Sequence, residues 1–264
     1  MAECKVSDVC SIMQDIAPTE YAEDFDNVGL LVGDKNSPVT GIVVALDATL
    51  DVINFAISNE CNMILTHHPL IFTPLKKVVR DDAVGSVVLQ CIKNGISVYS
   101  AHTNFDKVQG GTDDALAAAL DIISPKRLDD EIINGVNVGL GRYGTIERIT
   151  VKELADKLSQ RLCTTVVTTA DDNKIIHTVA SVAGSGGDFV EHAIAKNADI
   201  FITGEMNYHS ALDAKRLGLD VMLCSHAASE QISLNSLKNT LQNRINGVQY
   251  SVRVILAPYH NLWH

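Results

Sequence analysis

The sequence predicts an α/β protein built as two related lobes. Apolar residues alternate between helical spacing and short β-branched runs, the pattern of helices packed on a largely parallel sheet. A strand–helix–strand pattern also occurs twice. Asn62-Met-Ile-Leu-Thr66-His67-His68 resembles Asp199-Ile-Phe-Ile-Thr203-Gly204-Glu205, and each is followed by a helix, a strand and a His-x-x-x-acid group. Two lobes whose strand ends face one cleft would account for this, although two unrelated βαβ units can look alike by accident.

Val6–Ile16 reads as an amphipathic helix with Val9, Ile12, Met13 and Ile16 on one face. Strands are expected at 41–46, 63–66 and 96–100, and helices at 51–59, 83–94 and 112–120. Asp26-Asn27-Val28-Gly29-Leu30-Leu31-Val32-Gly33 could line the cleft, but Asn-x-Gly is also ordinary turn chemistry, which is the reading favoured. Between 124 and 176, Gly135, Gly139, Gly141 and Gly144 interrupt alternating apolar residues, which suggests a twisted or bulged antiparallel segment. A helix at 151–162 and a Thr-rich strand at 164–169 follow. The second α/β stretch has strands at 178–183, 200–203 and 219–223, helices at 189–197 and 207–217, a long helix from Ala227, and a last strand at 250–255. No Pro/Gly/Ser linker divides the chain, so the expected lobes, 1–123 and 124–264, should be closely packed or even intertwined.

Composition narrows the function. Apolar residues make up 46% and charged residues 20% of 264, the balance of a soluble globular chain. No run approaches the ~18 apolar residues of a membrane span, and the first fifteen residues carry Glu3, Lys5 and Asp8 without an apolar core. The expectation is a cytoplasmic protein with no membrane partner. A formal charge of −11 disfavours non-specific nucleic-acid binding. The six cysteines form no CxxC pair, which suits reduced thiols rather than a disulfide framework or a thiolate zinc site.

The chemistry-bearing residues collect after predicted strands, where open α/β sheets bind ligands. His67 and His68 follow the strand at 63–66. Two adjacent histidines diverge on an extended chain, so they serve two neighbouring ions readily and one ion only if the backbone bends. His102 and Asp106 follow the next strand; Asp106 offers a hard oxygen donor, and His102 is either a ligand or an orienting, proton-handling group. Cys224-Ser225-His226-Ala-Ala-Ser-Glu230 follows another. With Ser225 as helix N-cap, His226 and Glu230 share one face, and a carboxylate has two oxygens with which to bridge two ions. Glu205 and His209 have the same spacing and form a weaker candidate pair. Taken singly, each of these is as well explained by surface or capping chemistry. Together, His67, His68, Asp106, His226 and Glu230 make a sensible dinuclear set. The Gly184-Ser-Gly-Gly187 loop suits either an anion or tight strand–helix packing.

Asp26-Asn-Val-Gly-Leu30, Thr66-His-His-Pro-Leu-Ile-Phe72, Ala101-His-Thr-Asn-Phe-Asp106, Thr203-Gly-Glu205 and Ser225-His-Ala-Ala-Ser-Glu230 occur in this order. Together they resemble the Nif-three-like family, whose members are often labelled GTP cyclohydrolase I type 2 homologues, over essentially the whole chain. The resemblance implies two α/β lobes around a cleft with a dinuclear centre, and a toroidal homohexamer. It implies His67, His68, Asp106 and His226 as ligands, Glu230 as the bridge, and His102 beside them. The 124–176 stretch is too short for the inserted domain of longer members. Phe25 stands where the family often has Trp, and Ser225 where it often has Gly.

Two functions follow as expectations. One is a metal-dependent hydrolase that opens the ring of a purine nucleotide such as GTP, or performs a related hydrolysis, with His102 or Glu205 moving protons. The other is a non-catalytic metal-binding adaptor, regulator or metal chaperone with a protein partner. Imidazole and carboxylate donors admit zinc, iron, manganese, nickel or cobalt, so the two divalent ions are expected without a fixed identity.

Overall fold

The computed structural model describes residues 3–259. The strands are β1 (Gly29–Val32), β2 (Gly41–Ala45), β3 (Met63–Thr66), β4 (Ser97–Ser100), β5 (Ile123–Arg127), β6 (Glu131–Ile133) and β7 (Val136–Val138). They continue with β8 (Arg142–Thr150), β9 (Val167–Thr168), β10 (Ile175–Ser185), β11 (Ile200–Glu205), β12 (Asp220–Leu223) and β13 (Arg253–Leu256). The helices are α1 (Val6–Ile16), α2 (Leu50–Ser58), α3 (Ala83–Lys93), α4 (Thr103–Lys107) and α5 (Thr112–Ala119). After these come α6 (Val151–Leu162), α7 (Val190–Ala195), α8 (Tyr208–Arg216) and α9 (His226–Gly247). Among the described residues no helix is long and apolar enough to cross a membrane.

The chain forms two compact units, and the division differs from the single one expected at 123/124. One unit runs to Phe105 and resumes at Leu234; the other is Asp106–Ser233. The C-terminal strand β13 explains the return, because it pairs in parallel with β2, with Val254 opposite Ile42. Sequence periodicity carries no information about such a partner.

In the first unit five strands lie in the order β1-β4-β3-β2-β13. β2, β3 and β4 are parallel, with Thr66 opposite both Ala45 and Ser100. The sequences GIVVA and MILT carry no polar alternation because all their residues up to Thr66 are buried. Val43, Ile64 and Val98 pack with Ile53 of α2 and Val87, Val88 and Cys91 of α3. Within the 26–33 stretch expected as a turn, Gly29–Val32 is instead the edge strand β1. Gly29 and Gly33 sit at φ +97° and +128°, and Leu30 between them pairs antiparallel with Tyr99. The glycines read as turn punctuation; here they flank an edge strand.

In the second unit six strands lie in the order β5-β8-β10-β11-β12-β9. β10, β11 and β12 are parallel, and β5, β8 and β9 pair antiparallel. Both faces are covered, and successive residues alternate between them. Ile200, Ile202 and Met222 pack with Leu154, Leu158 and Leu116. Phe201 and Val221 face the other way, toward Val190, Ala193 and Ala214. The expected irregularity after 124 is present as register shifts between Ile123 and Lys126 and between Ile176 and Thr178. The strand expected at 164–169 shrinks to Val167–Thr168, and that expected at 200–203 extends to Glu205.

Each unit thus contains the series strand–helix–strand–helix–strand, β2-α2-β3-α3-β4 in one and β10-α7-β11-α8-β12 in the other. Each series runs on into a helix, α4 or α9, in which the chain passes from one unit to the other. In both, the central strand's buried threonine, Thr66 or Thr203, stands near its carboxyl end.

Candidate metal centre

In the first unit the strand ends gather three imidazoles. His67 N–H donates to the Ala45 carbonyl at 3.2 Å and His68 N–H to that of Leu46 at 2.9 Å, so β3 keeps its ladder beyond Thr66. The Thr66 hydroxyl then turns back to the His68 carbonyl at 2.8 Å and meets the Ser100 hydroxyl at 2.8 Å. This bends the chain where the histidines begin. The His67 ring lies 5.3 Å from that of His68 and 5.2 Å from that of His102, and His68 and His102 are 5.8 Å apart. One nitrogen from each falls within 4.8 Å of the others, close enough to hold a metal ion.

His102 is fixed through its loop. Asn104, fully buried, accepts from His102 N–H at 2.9 Å and donates to the Ala17 carbonyl at 2.7 Å. Asp26 takes His102 Nδ1 on one oxygen at 3.0 Å, and the Thr103 N–H and hydroxyl on the other at 3.1 and 2.5 Å. Burial pushes the Asp26 carboxyl up, but the bond and charge of His102, with Thr103 and the Asn27 amide, outweigh it and hold it at about 2. Asp26 is therefore no ordinary turn residue. Because its folded value lies below the ordinary carboxyl value of 3.8, it contributes stability above that pH, lost as pH falls through about 2. An acid titration of Asp26→Asn should be flatter than wild type between those values; an identical curve would remove Asp26 from the acid transition.

The second unit holds the remaining candidates. Glu230, 4% exposed, lies one turn beyond His226 on α9, with Oε1 3.2 Å from His226 Nε2. Glu205 Oε1 stands 3.2 Å from His226 Nδ1. Two donors bound at ~2.1 Å to one ion stand about 3–3.4 Å apart, so the His226–Glu230 spacing fits a shared ion. Gly184 makes room for it. A Cβ there would meet Glu230 Oε1 at 2.3 Å and His226 Nε2 at 3.4 Å, and the backbone is at φ +64°. The Gly184 N–H donates to the Ser229 hydroxyl at 2.9 Å, and its carbonyl accepts from the Thr203 hydroxyl at 3.2 Å. A Cβ on Gly186 would meet Thr203 Oγ1 at 2.4 Å. Close packing against donors and strand therefore accounts for Gly184 and Gly186.

Asp106 is half-buried on α4. Its charge acts on buried Asp113, whose carboxyl is pushed up to about 7 by burial and by Asp106, against the pull of Arg142. Asp113 accepts from Gly141 N–H at 2.6 Å and Ala183 N–H at 2.9 Å, so it anchors the end of β10 that leads into Gly184. Cys224, buried beside this segment, has its thiol pushed up to about 12 by burial. That is poor chemistry for a thiolate ligand.

Two expectations need correction. The weaker candidate pair divides between two elements: Glu205 ends β11, and exposed His209 meets the Tyr208 ring at 5.5 Å in α8. Ser225 has φ +70°, left-handed backbone rather than the extended geometry of an N-cap. A glycine fits that backbone without a Cβ penalty, so Ser225→Gly should stabilise the protein by about 1 kcal/mol in urea denaturation. Equal or lower stability would speak against strain at that position.

A pattern absent from the sequence reading unites the histidines. Nδ1 of His67 meets the Ala101 carbonyl at 3.0 Å, that of His68 meets Asp47 at 2.8 Å, that of His102 meets Asp26, and that of His226 meets Glu205. Oxygen partners on Nδ1 orient an imidazole to ligate through Nε2, as around protein-bound metals. Asp47 offered one sequence signal: it stands two residues beyond β2, at the same carboxyl end as His67 and His102. The imidazole and carboxylate donors, packed against a glycine where a Cβ would displace them, fit divalent cations.

The family model for Duf34/NIF3 (NGG1p interacting factor 3) matches residues 4–261. The chain belongs to the DUF34/NIF3 family. It is 36% identical over 261 residues to a GTP cyclohydrolase 1 type 2 homolog of Clostridium acetobutylicum, covering 96% of this chain and 95% of that protein. The NIF3-like protein 1 of Drosophila melanogaster is 33% identical, covering 92% and 83%. A crystal structure of a Bacillus cereus protein related to NIF3 superposes with TM-score 0.92 at 24% identity, covering 99% and 98%, which shows the shared fold. One of a Staphylococcus aureus protein superposes with TM-score 0.91 at 26% identity, covering 99% and 98%. The mixed α/β fold of this NIF3 chain is thus that of solved family members.

Proposed function

We propose that this chain is a metal-dependent hydrolase in which His67, His68, Asp106, His226 and Glu230 hold two divalent ions and Glu230 bridges them. The carrying observation is that four histidines at strand ends each have Nδ1 against an oxygen, the arrangement that presents Nε2 to a ligand. Bound divalent ions would supply Lewis acidity toward a substrate oxygen and a water acidified toward neutral pH. His102, backed by ionised Asp26, holds or releases a proton at Nε2, and Asp26 offsets the imidazolium charge when it forms. Glu205 orients His226 rather than carrying a proton itself. The names of the Clostridium relatives favour a purine nucleotide such as GTP as the first substrate to try.

The orienting carboxylates give a first check. Asp47→Ala should weaken zinc binding about 10–100-fold, read by competition with a chromogenic chelator, while leaving the fold intact. Unchanged affinity would sever Asp47 from the site. For activity, metal-loaded protein should turn over GTP or another nucleotide, and His102→Ala should lose turnover while retaining metal. A broad substrate screen without metal-dependent turnover, alongside metal-controlled binding of a protein partner, would replace the hydrolase reading with that of an adaptor.

A further inference from the structure

Two large rings stand in the open beside the imidazole cluster. Phe25 is 66% and Phe72 48% exposed, yet they meet each other edge-to-face with centroids 6.3 Å apart at 62°. Phe72 in turn stands 6.3 Å from the His102 ring at 88°. Neither is a stray surface residue, because their loops are clasped. The Asn27 side chain donates to the Ile71 carbonyl, and Asp26, next to Phe25, holds His102 and Thr103. Two rings at a steep angle form a corner, which offers a face and an edge to a planar guest.

Charge says what the guest carries. Phe72 belongs to an irregular segment of sixteen residues between β3 and α3, a length usual for binding loops and lids. This segment holds Lys76, Lys77 and Arg80, in a chain of net charge −11. Its two acidic residues, Asp81 and Asp82, stand at the end that leads into α3, where Asp82 caps the helix by accepting from Gly85 N–H at 2.8 Å. All three basic residues are exposed, and they make no ion pair among the described residues. We propose that Phe25 and Phe72 form the seat for the planar ring of an anionic small molecule, which presents that ring beside His102, with the 76–80 basic segment favouring its charged group. The proposal rests on the reading of the imidazole cluster as a reacting centre, and it names the class of substrate that centre would take.

The test is equilibrium binding of guanosine 5′-monophosphate, guanosine and ribose 5-phosphate to the full chain, metal-free and zinc-loaded, with metal content measured on every sample. Guanosine 5′-monophosphate should bind tighter than either fragment. Phe25→Leu/Phe72→Leu should weaken it about tenfold without changing the affinity for ribose 5-phosphate. Lys76→Ala/Lys77→Ala/Arg80→Ala should weaken both phosphates and flatten their salt dependence. Equal binding of the nucleotide by wild type and the leucine variant, no binding by wild type, or ribose 5-phosphate binding as tightly as the nucleotide would overturn the proposal. So would a change in assembly state of the leucine variant at unchanged nucleotide affinity, which would make the rings a contact between copies. Wild type that takes up no zinc on loading yet still discriminates the ring would sink the metal reading and leave the ring seat standing.

Discussion

Gly184→Ala is expected to lower both stability and metal affinity. The new Cβ would fall 2.3 Å from Glu230 Oε1, far inside van der Waals contact, on a backbone at φ +64°. The left-handed conformation costs about 1–2 kcal/mol for a residue with a Cβ, and a forced shift in a packed interior costs about 1–3 kcal/mol more. Urea denaturation should therefore show a loss of about 2–5 kcal/mol. Displacing Glu230 should also weaken metal binding about 10–100-fold. The two readouts separate packing from ligation. If stability falls while metal affinity holds, Gly184 is a packing position and Glu230 is not a ligand.

Glu230→Ala carries the other large effect. The carboxylate is nearly buried and sits 3.2 Å from His226 Nε2, so its removal takes away a central donor and the proposed bridge. Metal retained through gel filtration should fall to near background, and nucleotide turnover should go with it. Glu230→Gln keeps the shape but has no charge, and should retain the fold with similarly poor metal retention. Circular dichroism and the urea midpoint check that the fold survives. Alanine or glutamine variants holding wild-type metal content would exclude Glu230 from the centre.

The parts of the fold written in local patterns were legible. α1 and α6 have the predicted bounds because amphipathic spacing sets their faces, and Thr150 with Glu153 forms a capping box at the start of α6. β3 was legible because a fully buried strand before paired histidines needs no alternation to be seen. Features made by distant partners were not. β1 depends on β4, the pairing of β13 (itself expected as a strand at 250–255) on β2, and the division of the chain on where α9 leads; periodicity is silent on all three. Among the candidate residues, the histidines and Glu230 stood out as residue types at strand ends. Asp26 and Asp47 did not, because their role is the imidazole they touch 76 and 21 residues away. Glu205 was paired with His209 on spacing alone, with its strand expected to stop at Thr203. Its side chain instead meets His226 from the end of β11.

The central claim is that the oriented imidazoles and Glu230 exist to hold metal. Elemental analysis of the full chain, purified without added metal and then dialysed against zinc, iron or manganese, tests it most directly. The account predicts about two divalent ions per chain in wild type and near none in Glu230→Ala or His67→Ala at equal folded concentration. Wild-type protein that is folded, contains near-zero metal and takes up none on addition would contradict it.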